Sequence, residues 1–444
     1  MKVVFIVADS LRADAPGFAG GPAETPLIDR LATEGTRFDR AFVTGAWTIP
    51  SLMSMLTGSY PHRISIARWR HTFPAHRPTL LTAFRDAGFD VRCLHPYPQW
   101  GFINTPGKGE VGNSQDPQAV IEALGGPSDS DRFVLIHHWW THLPYVNSEL
   151  SLEQWHAACD FALESVGKYP ERIAPKLEQS FHKSVSFLSE QLLGRYLDAA
   201  TAGGGDVLLV LTGDHGETWG RSLPQGRRVE NVYDLHGRWI SDETIHVPLV
   251  FWGKGAGGAI PSDQALGGFA RGVDIGATIA DLAGIPWPGP IPEGTSPMTC
   301  DRGLGADGEG LEIVGRSLRG CIERGEPAPH DEVVTFSSEN CHVPRTYPDD
   351  GKLMWRTLGL RDDTHWYVWD GVDGEGSVSG IGEGAGEVDG ERVSAVHARL
   401  EELRQGAADP GPLIAEEHLA GLRAGEDEDN AAVVERLRTL GYLE

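Results

Sequence analysis

Val207-Leu208-Leu209-Val210-Leu211-Thr212-Gly213-Asp214-His215-Gly216-Glu217 is the stretch that decides the fold. Its first five residues are apolar without alternation, the mark of a strand buried on both faces, as in a parallel sheet covered by helices. The run ends abruptly in Asp214 and His215. Burying two such groups at a strand end costs desolvation with no return unless they bind something. In parallel sheets, sites gather beyond the carboxyl ends of strands. Working outward, the same grammar recurs. Val3 to Ala8 runs into Asp9, and Phe133 to Ile136 runs into His137, His138 and, a few residues later, His142. Phe89 to Leu94 and Val247 to Trp252 are further strands, with His236 ahead of the second. Helical patterns separate them: Leu27 to Ala32 ending at Gly35, Pro50 to Leu56 ending at Gly58, Pro78 to Ala87, stretches around 153–168 and 171–200, and Asp274 to Ala283. Strands alternating with helices predict an α/β fold with a mostly parallel central sheet.

The 444 residues are 40% hydrophobic, enough for a sizeable core, and carry 38 Lys+Arg against 63 Asp+Glu, a formal charge of −25. That balance repels phosphate backbones, so sequence-independent nucleic-acid binding is a poor hypothesis, while a local site for a small anion remains open. No apolar run approaches the roughly twenty residues that span a bilayer. The run from Val3 is cut by Asp9 too early for a signal peptide. The expectation is a cytoplasmic protein with no membrane or nucleic-acid partner. Cys93, Cys159, Cys300, Cys321 and Cys341 are scattered with no C-x-x-C pair, so neither a disulfide framework nor a zinc knuckle is expected.

Composition changes near residue 286. Residues 1–286 read as the catalytic domain, and Pro286 to Pro297 as a linker. Residues 287–444 read as a smaller C-terminal α+β subdomain, with strands at Glu332–Phe336 and Trp355–Trp369. An acidic, mobile loop is expected over 371–390 and a terminal helix over Ala431–Leu440.

Carboxylates and imidazoles together suit a divalent cation, zinc or manganese ahead of calcium or magnesium. Taken singly, Asp9 is a turn former, His142 a surface histidine and Thr48 a helix cap. The four strand-end clusters taken jointly reverse that reading. Pro50 fits the first turn of its helix, which places Thr48 at or near the N-cap, where the helix dipole favours an alkoxide and an incoming anion.

Thr48-Ile49-Pro50-Ser51-Leu52 followed by Leu56-Thr57-Gly58 resembles the C/S-x-P-S-R…L-T-G motif of the sulfatase-like branch of the alkaline phosphatase superfamily. Thr25-Pro26-Leu27-Ile28-Asp29, Gly58-Ser59-Tyr60-Pro61-His62-Arg63, His142-Leu143-Pro144-Tyr145, Asp214-His215-Gly216-Glu217, His236-Gly237 with Asp242-Glu243, and Val247-Pro248-Leu249 match as well. So do Val273-Asp274-Ile275, Leu282-Ala283-Gly284-Ile285, Gly315-Arg316-Ser317-Leu318 and the tail from Arg436 to Tyr442. The resemblance implies an alkaline-phosphatase-like α/β/α sandwich. It also implies a metal held by Asp9, Thr48, Asp214 and His215, with His236 a further ligand, and Thr48 as nucleophile. His142 and His236 would orient an ester oxygen, protonate the leaving group or bind a second metal, with His137 a weaker candidate for such a role. His138 alternates away along the strand, and Arg12 is read as a salt-bridge residue.

The departures matter. Thr48 stands where sulfatases carry the Cys or Ser that is oxidised to formylglycine, Leu52 replaces the arginine, and Asp9-Ser10 replaces a pair of aspartates. A threonine nucleophile resembles the phosphodiesterases and phosphoethanolamine or glycerophosphate transferases of the superfamily. The expectation is therefore metal-dependent cleavage or transfer of a phosphate ester, diester or phosphonate ester through phospho-Thr48, acting on a small-molecule anionic ester. Sulfate ester hydrolysis and an inactive, ligand-binding relative are the alternatives; a phosphomutase, with Ser and two full metal sites, has too few ligands here. Trp47, Trp69, Trp100, Trp139 and Trp140 are read as core ahead of pocket lining.

Overall fold

The apolar runs become neighbouring strands of a nine-stranded sheet in the computed structural model. It describes residues 1–64, 78–96, 107–125, 131–145, 174–219, 235–255, 260–287, 314–338, 355–371, 374–381 and 386–406. The strands are β1 (Lys2–Ala8), β2 (Thr36–Phe42), β3 (Asp90–Leu94), β4 (Glu110–Gly112), β5 (Arg132–His138), β6 (Val207–Gly213), β7 (His246–Lys254), β8 (Gln264–Leu266) and β9 (Ala270–Arg271). They lie in the order β4-β3-β5-β1-β6-β7-β2-β8, with β9 also on β2. The pairs from β4 through to β6 are parallel, and β7 runs antiparallel between β6 and β2. Every residue of β1, β5 and β6 is buried, as their unbroken apolar sequences require.

Successive side chains face opposite layers. Val3, Phe5 and Val7 point to the core shared with helix Thr48–Thr57 and helix Gly272–Leu282. Val4, Ile6 and Ala8 point to the core shared with helices Pro26–Glu34, Pro117–Leu124 and Gly194–Thr201. Helix Thr48–Thr57 is buried all round because Gly272–Leu282 lies on it so closely that a Cβ at Gly276 would sit 2.3 Å from the Met55 carbonyl oxygen. The result is a three-layered α/β/α arrangement.

A separate antiparallel sheet, β10 (Val333–Ser338), β11 (Trp355–Arg361), β12 (His365–Asp370) and β13 (Glu375–Gly380), follows in that order. It is tied to the segment that leads into helix Thr48–Thr57: Phe336 N–H donates to Thr44 O at 2.9 Å, and Ala46 N–H donates to Phe336 O at 3.1 Å. Arg361 and the Trp366 indole both donate to Asp242, fastening the same sheet beside β7.

Several expectations are corrected. Glu375–Gly380, within the stretch read as an acidic loop, is strand β13, because backbone pairing with β12 does not require apolar side chains. Trp355–Trp369 is two strands turned around Asp362, whose side chain accepts from Thr364 N–H and His365 N–H. Helix Gly390–Gln405 and strand β2 were not anticipated. The helical stretch read over 171–200 is present over 174–201, with a π-helical segment at Leu188–Leu193. The helices read over 153–168 and 431–440, and most of the linker, lie outside the described residues. No helix among the described residues is long and apolar enough to cross a membrane.

Candidate active site and metal centre

Three adjacent strands, β5, β1 and β6, deliver the site. Val7 lies opposite His137 on one side and Thr212 on the other, so His137, Val7, Asp9, Thr212 and Asp214 share the face that helix Thr48–Thr57 covers. His138 takes the other face, against Trp140 and Tyr196, as its alternation predicted.

Asp9, Asp214 and His215 offer ligand atoms within 4.8 Å of one another, and all three residues are fully buried. His215 Nε2 lies 3.4 Å from Asp9 Oδ1 and 3.6 Å from Asp214 Oδ2. Its Nδ1 stands 2.8 Å from Gly216 O, and since a carbonyl only accepts, Nδ1 donates there and Nε2 is left to face the carboxylates. Asp214 Oδ1 is fixed by the backbone N–H groups of Ser10, at 3.1 Å, and His215, at 2.8 Å. Ser10 adopts φ 61°, a left-handed conformation costing roughly 1–2 kcal/mol, and its hydroxyl donates to Asp9 Oδ1 at 2.9 Å. Gly216 is required next to His215, because a Cβ there would meet Glu243 O at 2.1 Å.

Thr48 is the first residue of its helix. Trp47 occupies the N-cap position and makes no side-chain cap. The Thr48 hydroxyl is therefore not spent on capping: Oγ1 donates to Asp9 Oδ2 at 3.2 Å and lies 3.3 Å from His215 Nε2. Leu52, one turn on, is buried in the core.

The rim is made of imidazoles. His142 and His236 are half-buried, with ring centroids 5.5 Å apart, and His236 stands 4.4 Å from His215. Buried Glu217 accepts from the Tyr145 hydroxyl through one oxygen and lies 3.0 Å from His236 Nδ1 through the other, which aims His236 Nε2 away from Glu217. His236 thus stands beside the cluster Asp9–Asp214–His215, its ring 4.4 Å from that of His215. Trp139 stacks on His142 at 4.8 Å, Trp47 and Trp140 are core, and Trp69 and Trp100 lie outside the described residues. Arg12 is not free for an anion: it makes a bidentate ion pair with Asp14 and donates to Glu217 O.

His137 reaches both carboxylates. Its Nε2 lies 3.3 Å from Asp9 Oδ2 and 3.2 Å from Asp214 Oδ2. Burial alone would raise the Asp9 carboxyl, but His142, His137 and His215 outweigh it and hold Asp9 well below the usual carboxylate range. Burial would lower His137 and His215, yet Asp214 and Asp9 raise both, His137 to about 9. Burial, with repulsion from His215, lowers His236. A divalent cation drawn in by the same carboxylates would reverse the first two imidazole shifts, since it competes with protons for ring lone pairs.

The donor chemistry tests whether such a cation fits. Two fully buried carboxylates converge here, where like charges repel unless positive charge lies between them. An imidazole nitrogen faces the same point, with its far nitrogen anchored on a backbone carbonyl, the usual support of a metal-binding histidine. Asp9, Asp214 and His215 therefore fit a divalent metal ion.

A family model described as Sulfatase matches residues 2–131 and 118–285. Among curated relatives, the low-salt glycan biosynthesis sulfotransferase Agl7 of Haloferax volcanii is 27% identical over 290 residues, 64% of this chain and 61% of that protein. The chain thus matches less than two thirds of that relative's length. Among solved structures, BT1596, a 2-O GAG sulfatase, superposes with a TM-score of 0.62 at 17% identity, over 91% of each chain. The phosphonate monoester hydrolase SpPMH of Silicibacter pomeroyi superposes with a TM-score of 0.61 at 16% identity, over 92% of this chain and 96% of that one. At such identities the likeness establishes the fold, an alkaline-phosphatase-like α/β/α sandwich with a smaller antiparallel sheet in the C-terminal region.

Proposed function

The chain belongs to the sulfatase family, and from that premise we propose that it transfers a sulfuryl group from a small anionic sulfate ester to an acceptor hydroxyl, water included, by way of Thr48. The observation that carries this is the position of Thr48 Oγ1, uncommitted to capping and within hydrogen-bond distance of both Asp9 Oδ2 and His215 Nε2. A divalent cation held by Asp9, Asp214 and His215 would supply Lewis acidity, lowering the pKa of the hydroxyl and neutralising ester oxygens. The chain's own groups do the rest. Thr48 Oγ attacks sulfur in line, its proton going to Asp9 Oδ2, the carboxylate oxygen it already faces. The Oγ–S bond forms as the ester O–S bond breaks. His142, at the rim, gives a proton to the departing alkoxide, and His236, whose Nδ1 donates to Glu217, can take the acceptor's proton through Nε2 in the second step. An acceptor hydroxyl then attacks the Thr48 sulfate ester and frees the threonine.

The chemistry of threonine calls for a second displacement at sulfur, a step that an acceptor hydroxyl suits as well as water does. An aldehyde hydrate carries a second hydroxyl on the same carbon and can expel sulfate without a second attack at sulfur. A threonine ester has no such hydroxyl, so an acceptor must displace it. The name of the Haloferax relative, a sulfotransferase, supports the same reading.

A second reading, cleavage of a phosphate or phosphonate ester through phospho-Thr48, is favoured by Leu52 in the place of a sulfate-binding arginine. Matched aryl sulfate, aryl phosphonate and aryl phosphodiester substrates separate the two, assayed with zinc, manganese, magnesium and calcium, with and without a carbohydrate acceptor. The sulfate reading expects the highest kcat/KM for the aryl sulfate and acceleration by the acceptor. A higher kcat/KM for the phosphodiester or phosphonate with every metal would replace it with the second reading.

A further inference from the structure

His137 is a fully buried ionisable group to which the proposed chemistry assigns no part. It enters from β5, the strand next to β1, with its Nε2 3.3 Å from Asp9 Oδ2 and 3.2 Å from Asp214 Oδ2. That nitrogen is aimed at the gap between the two carboxylates from the β5 side, while His215 reaches the same carboxylates from β6. Its Nδ1 is buried with no hydrogen-bond partner among the described residues, so Nε2 is the atom by which the ring is held. A buried ring nitrogen left unpaired costs about 1–3 kcal/mol, which has a return only if the other nitrogen is strongly bound.

We propose that His137 is a fourth protein ligand of the metal centre through Nε2, making the donor set Asp9, Asp214, His137 and His215. The inference rests on the reading of that cluster as a metal site. Its consequence is selectivity. Two imidazole nitrogens and two carboxylates form a set that suits zinc, or cobalt in its place, and disfavours calcium and magnesium, which take oxygen ligands.

The test uses the full chain stripped with chelator and titrated with zinc, calcium and cobalt. Affinity comes from calorimetry, and Cu2+ loading with pulsed EPR counts the coordinated imidazoles. Wild type is expected to show two imidazoles and to prefer zinc to calcium. His137→Gln should show one, lose about tenfold or more in zinc affinity, and lose most of the preference over calcium. His138→Gln, on the opposite face, should change neither, and His215→Gln should also leave one imidazole. Two imidazoles and unchanged zinc affinity in folded His137→Gln would overturn the proposal and demote His137 to a hydrogen-bond bracket. If His137→Gln fails to fold, the wild-type count decides: a single imidazole overturns the proposal. Wild type that binds no zinc at all would instead overturn the metal centre itself.

Discussion

Replacing Thr48 by alanine separates catalysis from stability, because the structure limits what the substitution can cost the fold. The hydroxyl makes two contacts, 3.2 Å to Asp9 Oδ2 and 3.3 Å to His215 Nε2, and no cap hydrogen bond. Both contacts are at the long end for a hydroxyl donor. A hydrogen bond of this kind is worth about 1–2 kcal/mol net, and Asp9 keeps the Ser10 hydroxyl and His137 as partners. For a protein of this size that is a fall in Tm of about 1–3 °C. Loss of a nucleophile costs on the order of 10^4 to 10^6 in kcat. The assay pairs calorimetric melting with turnover of the best aryl ester, and adds mass spectrometry of the peptide bearing Thr48 after acid quench. Wild type should carry one added sulfuryl group on Thr48 during turnover, and Thr48→Ala should carry none. Thr48→Ser keeps the hydroxyl and should retain measurable activity. A Thr48→Ala enzyme with near wild-type turnover and the wild-type Tm would refute the covalent route and leave Thr48 a passive neighbour of Asp9.

Three other outcomes follow from the same geometry. Arg271 and Asp274, both buried, form a bidentate ion pair with distances of 3.0 and 2.7 Å, and Asp274 also receives Arg316 N–H. Arg271→Met leaves the buried Asp274 carboxylate with only His330, 3.2 Å away, and backbone N–H groups, and should cost about 3 kcal/mol in urea unfolding; a loss under 1 kcal/mol would show the pair to be dispensable. His62 is fully buried, stacked on Phe336, and held well below the usual histidine range by burial and by Arg63. Its unfolded form gains a proton below the ordinary pKa while its folded form does not, so it contributes stability that is lost as pH falls below about 6.5, by up to about 1.4 kcal/mol per unit. His62→Phe should flatten that decline between pH 6.5 and 5, and parallel curves for the two proteins would refute the assignment. Asp214→Ala should fall well below one divalent ion per chain while wild type retains about one or two after chelator-free purification; equal metal content would remove Asp214 from the site.

The readable part of the site is local. Asp9, Asp214 and His215 each follow directly on a strand recognisable from its own apolar run, so strand type and ligand position come from the same few residues. Thr48 and Leu52 were legible because helix Thr48–Thr57 is bounded by its own signals, Pro50 near its start and Gly58 at its end, although the helix begins at Thr48 and Trp47 takes the cap. Glu217 was within a quoted motif, yet its hold on His236 and Tyr145 depends on two segments 19 and 72 residues distant. A period-two signal marked His137 and His138 as facing opposite layers, but not which layer held the carboxylates.

What the sequence determines by itself is whatever a strand or helix settles within its own length: an α/β chain, buried parallel strands, ligand types at their carboxyl ends, and a threonine where an oxidisable residue would allow aldehyde chemistry. What the tertiary structure decides is set by pairing between distant segments. The order β5-β1-β6 brings His137 onto the two carboxylates. The Glu217 contact draws His236 to the rim. The pairing of Glu375–Gly380 with β12 makes a strand of an acidic, glycine-rich run. Backbone hydrogen bonds and register between strands are indifferent to most side chains, so no local pattern announces them; they exist once the partner strand is in place.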